Sequence, residues 1–302
     1  MVHILATDGM DKSAIEELNN LGHKVTEQFY NPDQLGDALK DYDVVVVRSA
    51  TKIKRDIIDK ALGYGRLKMV IRAGVGLDNI DVIYAIEKGL EVRNTPNSSS
   101  ASVAELALAH MFALARFVAI SNVEMRRGEW NKKAYTGSEL SGKTLGLIGF
   151  GRISIELAKK AHALGMNVVY TNRSGLKEGY PEYKYMSLED LLRSSDFISI
   201  HTPATKDGKP LITKSEIEMM KNGVYLINCA RGGIINEDDL LEALDSGKVA
   251  GAGIDVFLEE PTKNENLVNH KHVSVTPHIG GSTSQAQERI GGEIVDIIKS
   301  TF

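Results

Sequence analysis

Short runs of β-branched and apolar residues recur along this chain of 302 residues, with helically spaced stretches between them. His3 to Ala6 and Leu67 to Ile71 are strand-like, and Val44 to Val47 is an unbroken run of valine. Lys12 to Leu21, Ile53 to Leu62 and Asp81 to Lys88 carry helical spacing instead. A strand that is apolar at every position is buried on both faces, and alternation with helices places it in a parallel sheet. The rhythm restarts at Thr144. Leu145 to Ile148 is a strand, Gly149 to Ser154 a turn, Ile155 to Leu164 a helix and Asn167 to Tyr170 a strand, with further apolar runs at Val224 to Ile227, Ala250 to Ile254 and Val273 to Val275. The fold class is therefore α/β, and the length suits two domains.

Between the two series, Ser100 to Arg127 contains neither glycine nor proline and is rich in Ala, Leu, Met and Glu. It predicts one helix of about 40 Å, at ~1.5 Å per residue, long enough to bridge two domains. Gly128 to Gly142, with Trp130 and Tyr135, reads as an excursion. The long helix and this excursion together supply apolar surface beyond what one α/β unit needs, so a homodimer is expected. The expected division is 1–98 plus 283–302, closed by a terminal helix over Gln285 to Lys299, with 99–282 inserted as a second parallel-sheet domain.

A formal net charge of −4, a pI near 6.1 and the lack of a long basic run argue against nucleic-acid binding. No apolar run reaches the ~18 residues of a membrane span. Met1 to Leu5 enters a strand directly with no basic segment, so no signal peptide is expected. The single cysteine, Cys229, rules out an internal disulfide and fits a reducing, cytoplasmic setting. No cluster has metal-ligand spacing, so no metal is expected.

Gly149-Phe150-Gly151-Arg152-Ile153-Ser154 follows a strand and opens a helix, the context a dinucleotide-binding turn requires. Gly149 would permit the turn. Gly151, with the amides of Arg152 and Ile153, would receive a pyrophosphate. Ser154 stands where a third glycine is usual. The next strand ends in Tyr170-Thr171-Asn172-Arg173-Ser174, without the acid that accepts from an NAD ribose. Asn172 and Arg173 thus admit NADP, or both NAD and NADP; stacking on adenine or exposure to solvent is the other reading of Arg173.

Three later segments each put a polar residue after an apolar run: Asn228 to Gly233, Asp255 to Pro261 and Pro277 to Gly281. In an open parallel sheet, ligands bind outside the carboxyl ends of the strands, so Arg231, Glu260 and His278 would converge. An arginine, a carboxylate and an imidazole together are suited to holding an anionic substrate and moving one proton.

With these residues assembled, the chain resembles the D-2-hydroxyacid dehydrogenases, and among them the phosphoglycerate dehydrogenases, over nearly its whole length. Arg48-Ser49-Ala50-Thr51-Lys52 resembles their early substrate loop, and Arg72 to Asn79 the loop whose amides, at Gly74, Val75 and Gly76, hold a substrate carboxylate. Asn94-Thr95-Pro96-Asn97 and Ser102 to Glu105 resemble the crossing between domains. The resemblance implies two Rossmann-like or flavodoxin-like parallel-sheet domains, the cofactor domain inserted into a discontinuous substrate domain. Ser154 and Asn172 depart from the family's usual glycine and aspartate. Longer relatives carry a C-terminal serine-binding domain; the chain ends at Phe302, so that feedback is not expected.

The resemblance also implies roles. Arg231 would bind the carboxylate and polarise the ketone; His278 would exchange the proton; Glu260, rather than adjacent Glu259, would orient His278. Asp255 would contact the nicotinamide carboxamide, or else cap its strand. Thr202, Pro203, Cys229, Ala230 and Gly280 would line the cofactor, Cys229 through its backbone and not as a nucleophile. His201 reads as structural, and His23, His110 and His162 as helix or surface residues. Arg48, Ser49, Asn97 and Lys52 would decide the substrate: a small anionic 2-hydroxy or 2-keto acid, D-3-phosphoglycerate first, entering serine synthesis. If the Arg48 loop only packs its domain, glyoxylate or hydroxypyruvate reduction follows. A dinucleotide-sensing corepressor is the alternative of another class.

Overall fold

The computed structural model describes residues 1–205 and 207–302. The chain forms two compact units, Met1–Ser99 with Gly281–Phe302, and Ser100–Gly280.

The first unit runs β1 (His3–Ala6), α1 (Lys12–Asn20), β2 (Lys24–Glu27), α2 (Pro32–Ala38), β3 (Val44–Val47), α3 (Arg55–Gly63), β4 (Met69–Arg72), α4 (Val82–Glu87) and β5 (Glu91–Asn94). Its five strands lie in the order β2-β1-β3-β4-β5, all parallel, the flavodoxin-like order. The valine run explains itself here. Val44 and Val46 pack with Ala14, Leu18, Ile294 and Ile298 on one face, while Val45 and Val47 pack with Leu35, Ile57 and Ile58 on the other. β2 and β5, which the apolar pattern does not mark, are edge strands with no fully buried residue, so neither needs an apolar run.

The second unit runs α5 (Ser100–Ala115), α6 (Val118–Arg126), β6 (Thr144–Ile148), α7 (Arg152–Ala163), β7 (Asn167–Thr171), β8 (Lys184–Tyr185), α8 (Leu188–Ser194), β9 (Phe197–Ile200), α9 (Lys214–Met219), β10 (Val224–Asn228), α10 (Glu237–Asp245), β11 (Val249–Ile254), α11 (Glu265–Val268) and β12 (Val273–Val275). The chain then returns to the first unit as α12 (Ser284–Thr301), whose Ile290, Ile294 and Ile298 join the core around Ala14 and Leu18. The seven strands are ordered β12-β11-β10-β9-β6-β7-β8 and all parallel. Chain direction across the sheet reverses between β6 and β9, the switch point at which such sheets bind ligands.

One expectation is corrected. Ser100 to Arg127 is not a single helix: α5 and α6 are bent by 65°. Phe117 adopts a left-handed φ of 56°, and the Ala115 carbonyl accepts from the Ser138 amide at 2.9 Å. A tertiary hydrogen bond from the Gly128–Gly142 segment has replaced the next helical one. A smaller correction concerns the glycine turn: Arg152 to Ser154 already form the first turn of α7.

Candidate active site

The parallel topology brings the candidates of the second unit to one edge of its sheet. Gly149 follows β6, Asn172 follows β7, Thr202 follows β9, Cys229 to Arg231 follow β10, Asp255 and Glu260 follow β11, and His278 and Gly280 follow β12.

His278 Nδ1 lies 2.7 Å from Glu260 Oε2, while Glu260 Oε1 accepts from the Phe257 amide at 3.1 Å. A carboxylate has no proton to donate, so Nδ1–H is the donor and Nε2 is the free end of the ring. Burial works to raise the Glu260 carboxyl; the His278 hydrogen bond, the Phe257 amide and the charges of His278 and Arg231 outweigh it and hold the group below the usual carboxylate range. Arg231 is therefore electrostatically within reach of the pair. Its own position is set locally: Asn228 Nδ2 donates to the Arg231 carbonyl at 2.9 Å, Asn228 Oδ1 accepts from the Ala230 amide at 3.1 Å, and Arg231 Nη1 donates to the Ala230 carbonyl at 2.6 Å. Glu259 pairs instead with Lys263 at 3.1 Å.

His278 stands in the left-handed region, at φ 53°. Such a conformation persists only where the surroundings impose it. Here Asp255 does so. Its carbonyl accepts the His278 amide at 2.8 Å, its Oδ1 accepts from Ile279 N at 2.8 Å, and its Oδ2 from Gly280 N at 2.9 Å. Asp255 is almost fully buried. The strand-end cap left open by the sequence is thus present, and it shapes the histidine loop. Burial, and then the Asp255 charge, push the Cys229 thiol up, leaving it protonated and unreactive.

The glycine turn is closely built. Gly149 has φ +89°, and a Cβ there would lie 2.6 Å from the His201 carbonyl oxygen, so no other residue fits. Ser154 is fully buried, and its hydroxyl donates to the Gly149 carbonyl at 2.6 Å, tying the helix to the turn where a third glycine would only pack. Phe150 stacks on Tyr170 with ring centroids 3.8 Å apart. A dinucleotide fits this edge. α7 begins at Gly151 with no side-chain cap, leaving its amides for a phosphate, and a Cβ on Gly151 would meet open space. Thr202 Oγ1 and His201 Nδ1 are buried with no hydrogen-bond partner among the described residues. Burial pushes the His201 imidazole down to about 4, which keeps it neutral and structural at neutral pH. Past β7, Asn172 Nδ2 donates to Ser174 Oγ at 2.8 Å, and Arg173 is exposed.

In the first unit, Arg48–Thr51, Gly74–Gly76 and Asn97 follow the adjacent strands β3, β4 and β5. Asp8 Oδ2 accepts from the Arg48 amide at 2.6 Å, Asp8 Oδ1 from the Thr51 hydroxyl at 2.6 Å, and Asn79 Nδ2 donates to the Arg48 carbonyl at 2.7 Å. Asn94 Nδ2 donates to the Val75 carbonyl at 2.7 Å, and Glu293 accepts from the Asn97 amide at 3.2 Å. Asp8 and Glu293 were missed in the sequence; only Asp8, two residues past the end of β1, carried a positional signal.

Residues 108–280 match the family described as D-isomer specific 2-hydroxyacid dehydrogenase, NAD binding domain. The chain is 46% identical to a hydroxypyruvate reductase of Thermotoga maritima, across 98% of this chain and 96% of that one. It is 43% identical to a D-3-phosphoglycerate dehydrogenase of Methanocaldococcus jannaschii, matching all of this chain but only 58% of the relative's length. A glyoxylate reductase structure from Paecilomyes thermophila superposes with a TM-score of 0.89 at 31% identity, over 99% of this chain and 94% of the other. The chain belongs to the D-isomer specific 2-hydroxyacid dehydrogenases and carries their NAD-binding domain.

Proposed function

We propose that the chain interconverts D-3-phosphoglycerate and 3-phosphohydroxypyruvate. When a nicotinamide dinucleotide is bound, the hydride would come from it in reduction and pass to it in oxidation. Arg231 binds the carboxylate through its planar fork and polarises the ketone. His278 gives a proton from Nε2 to the carbonyl oxygen in reduction and takes it back in oxidation. Glu260 keeps the opposite edge of the ring engaged, so that Nε2 stays aimed. Gly151, Arg152 and Ile153 take the pyrophosphate, while Thr202, Pro203, Cys229, Ala230, Asp255 and Gly280 line the cofactor. Gly74, Val75, Gly76 and Asn97 contribute substrate contacts from the first unit.

The observation that carries the phosphorylated substrate is Arg48. Its backbone is held on both sides by Asp8 and Asn79, while its guanidinium meets no partner among the described residues. An arginine fixed at its backbone, with Ser49 beside it, is built to receive an anion. A second reading, reduction of hydroxypyruvate or glyoxylate, is supported by the full-length likeness to a hydroxypyruvate reductase. Steady-state reduction of the three keto acids tests the choice. The first reading expects the highest kcat/KM with 3-phosphohydroxypyruvate; a preference for either unphosphorylated acid sinks it and supports the second.

Self-association is part of the proposal. Val118, Val123, Met125 and Trp130 are exposed on and just beyond α6, an apolar face suited to a second copy. Light scattering at micromolar concentration should give twice the monomer mass; the monomer mass itself would remove this element.

A further inference from the structure

His110, read from the sequence as a helix or surface residue, lies in helix α5 and is buried there. Gly253 on β11 makes the room: a Cβ there would lie 2.6 Å from the His110 Cβ. Both ring nitrogens are engaged, Nδ1 at 2.9 Å from Ser274 Oγ and Nε2 at 3.1 Å from Thr276 Oγ1. Thr276 Oγ1 in turn lies 2.6 Å from Asp255 Oδ1. That carboxylate holds the amides of Ile279 and Gly280.

The protons in this chain can be placed. The carboxylate only accepts, so the Thr276 hydroxyl donates to Asp255. The Thr276 oxygen is then left to accept, which requires His110 to carry its proton on Nε2. His110 Nδ1 becomes an acceptor and takes the proton of the Ser274 hydroxyl. Burial, against the pull of Asp255, holds the His110 imidazole below its ordinary value, consistent with this neutral tautomer.

We propose that His110 is a positioning residue for proton transfer: through Thr276 it fixes the Asp255 carboxylate, and Asp255 fixes the left-handed backbone that aims His278. Losing the His110 bond frees the Thr276 hydroxyl to rotate, and Asp255 loses one of the hydrogen bonds that orient it. The effect reaches His278 through backbone geometry; His110 itself is no part of the substrate or cofactor lining. This rests on His278 being the proton donor.

His110→Leu keeps the volume and removes both nitrogens. Misplacing a catalytic group by about 1 Å costs on the order of 10²-fold, and a looser loop is expected to cost about tenfold in kcat. The Kd for the reduced cofactor, read by fluorescence titration, should stay within about twofold. His110→Gln can still offer an N–H to Thr276 and should recover kcat to within about threefold of wild type. In a Thr276→Val background, adding His110→Leu should cost nothing more, because the path is already cut. The idea is overturned if His110→Leu keeps wild-type kcat, if His110→Gln is no better than His110→Leu, or if the double variant falls by the product of the single losses. Should His110→Leu fail to fold, Thr276→Val carries the test: it must lower kcat at unchanged cofactor Kd, and wild-type kcat would overturn the relay. His278→Ala, run in parallel, separates the two levels. An active His278→Ala defeats the underlying reading, whereas an inactive one beside an unaffected His110→Leu defeats only this inference.

Discussion

Replacing His278 with alanine should lower kcat by about 10²–10⁴-fold, the usual contribution of a positioned general acid, while cofactor affinity stays near wild type. The reasoning is geometric. Nδ1 is committed to Glu260 at 2.7 Å, so Nε2 alone can exchange a proton with substrate, and Asp255 pins the backbone beneath it. Titration of cofactor by fluorescence and steady-state rates on one preparation separate binding from chemistry. A variant that kept more than about a tenth of wild-type activity would leave the proton-donor role untenable. Glu260 adds a pH signature. Its carboxyl is held below the usual range, so Glu260 is ionised and accepts from His278 above that range, and this acceptor is lost as pH falls through the depressed value. Glu260→Gln cannot form the pair at any pH. With no carboxyl to titrate, its pH profile should lack the acid-side fall that protonation of Glu260 gives the wild type.

Cofactor choice should be relaxed, with NADP(H) at least competitive with NAD(H). An acid at the end of β7 would both accept from a ribose 2′-hydroxyl and repel a 2′-phosphate. This chain has Asn172 there, its amide turned onto Ser174 at 2.8 Å, with exposed Arg173 alongside. Neither side chain repels a phosphate, and Arg173 attracts one. Asn172→Asp should restore a strong NAD preference by like-charge rejection. The readout is the ratio of kcat/KM for the two cofactors in both proteins. A wild type that rejects NADP(H) a hundredfold or more, about 2.7 kcal/mol, would mean that Arg173 serves another purpose.

What the sequence made legible follows from how local each signal is. The Val44–Val47 run is readable because both its faces are buried, against separate clusters. The strand-end segments are readable because each polar residue directly follows its run. The break at Phe117 is not, because its cause is a carbonyl captured by the Ser138 amide from the following excursion, with no glycine or proline at the bend. Edge strands such as β2 lack the apolar pattern because solvent meets them. His110 looked like an ordinary helix position; its partners, Ser274 and Thr276, lie 164 and 166 residues away. The same distance hid Glu293, which holds Asn97 across 196 residues.

The most direct test of the whole account is one steady-state series: 3-phosphohydroxypyruvate, hydroxypyruvate and glyoxylate with reduced cofactor, in wild type and Arg48→Ala. The account predicts turnover of 2-keto acids, a kcat/KM ranking led by the phosphorylated acid, and loss of that lead in Arg48→Ala with little change for hydroxypyruvate. Equal or better turnover of the unphosphorylated acids by the wild type, or an Arg48→Ala variant that keeps the full preference, would contradict it.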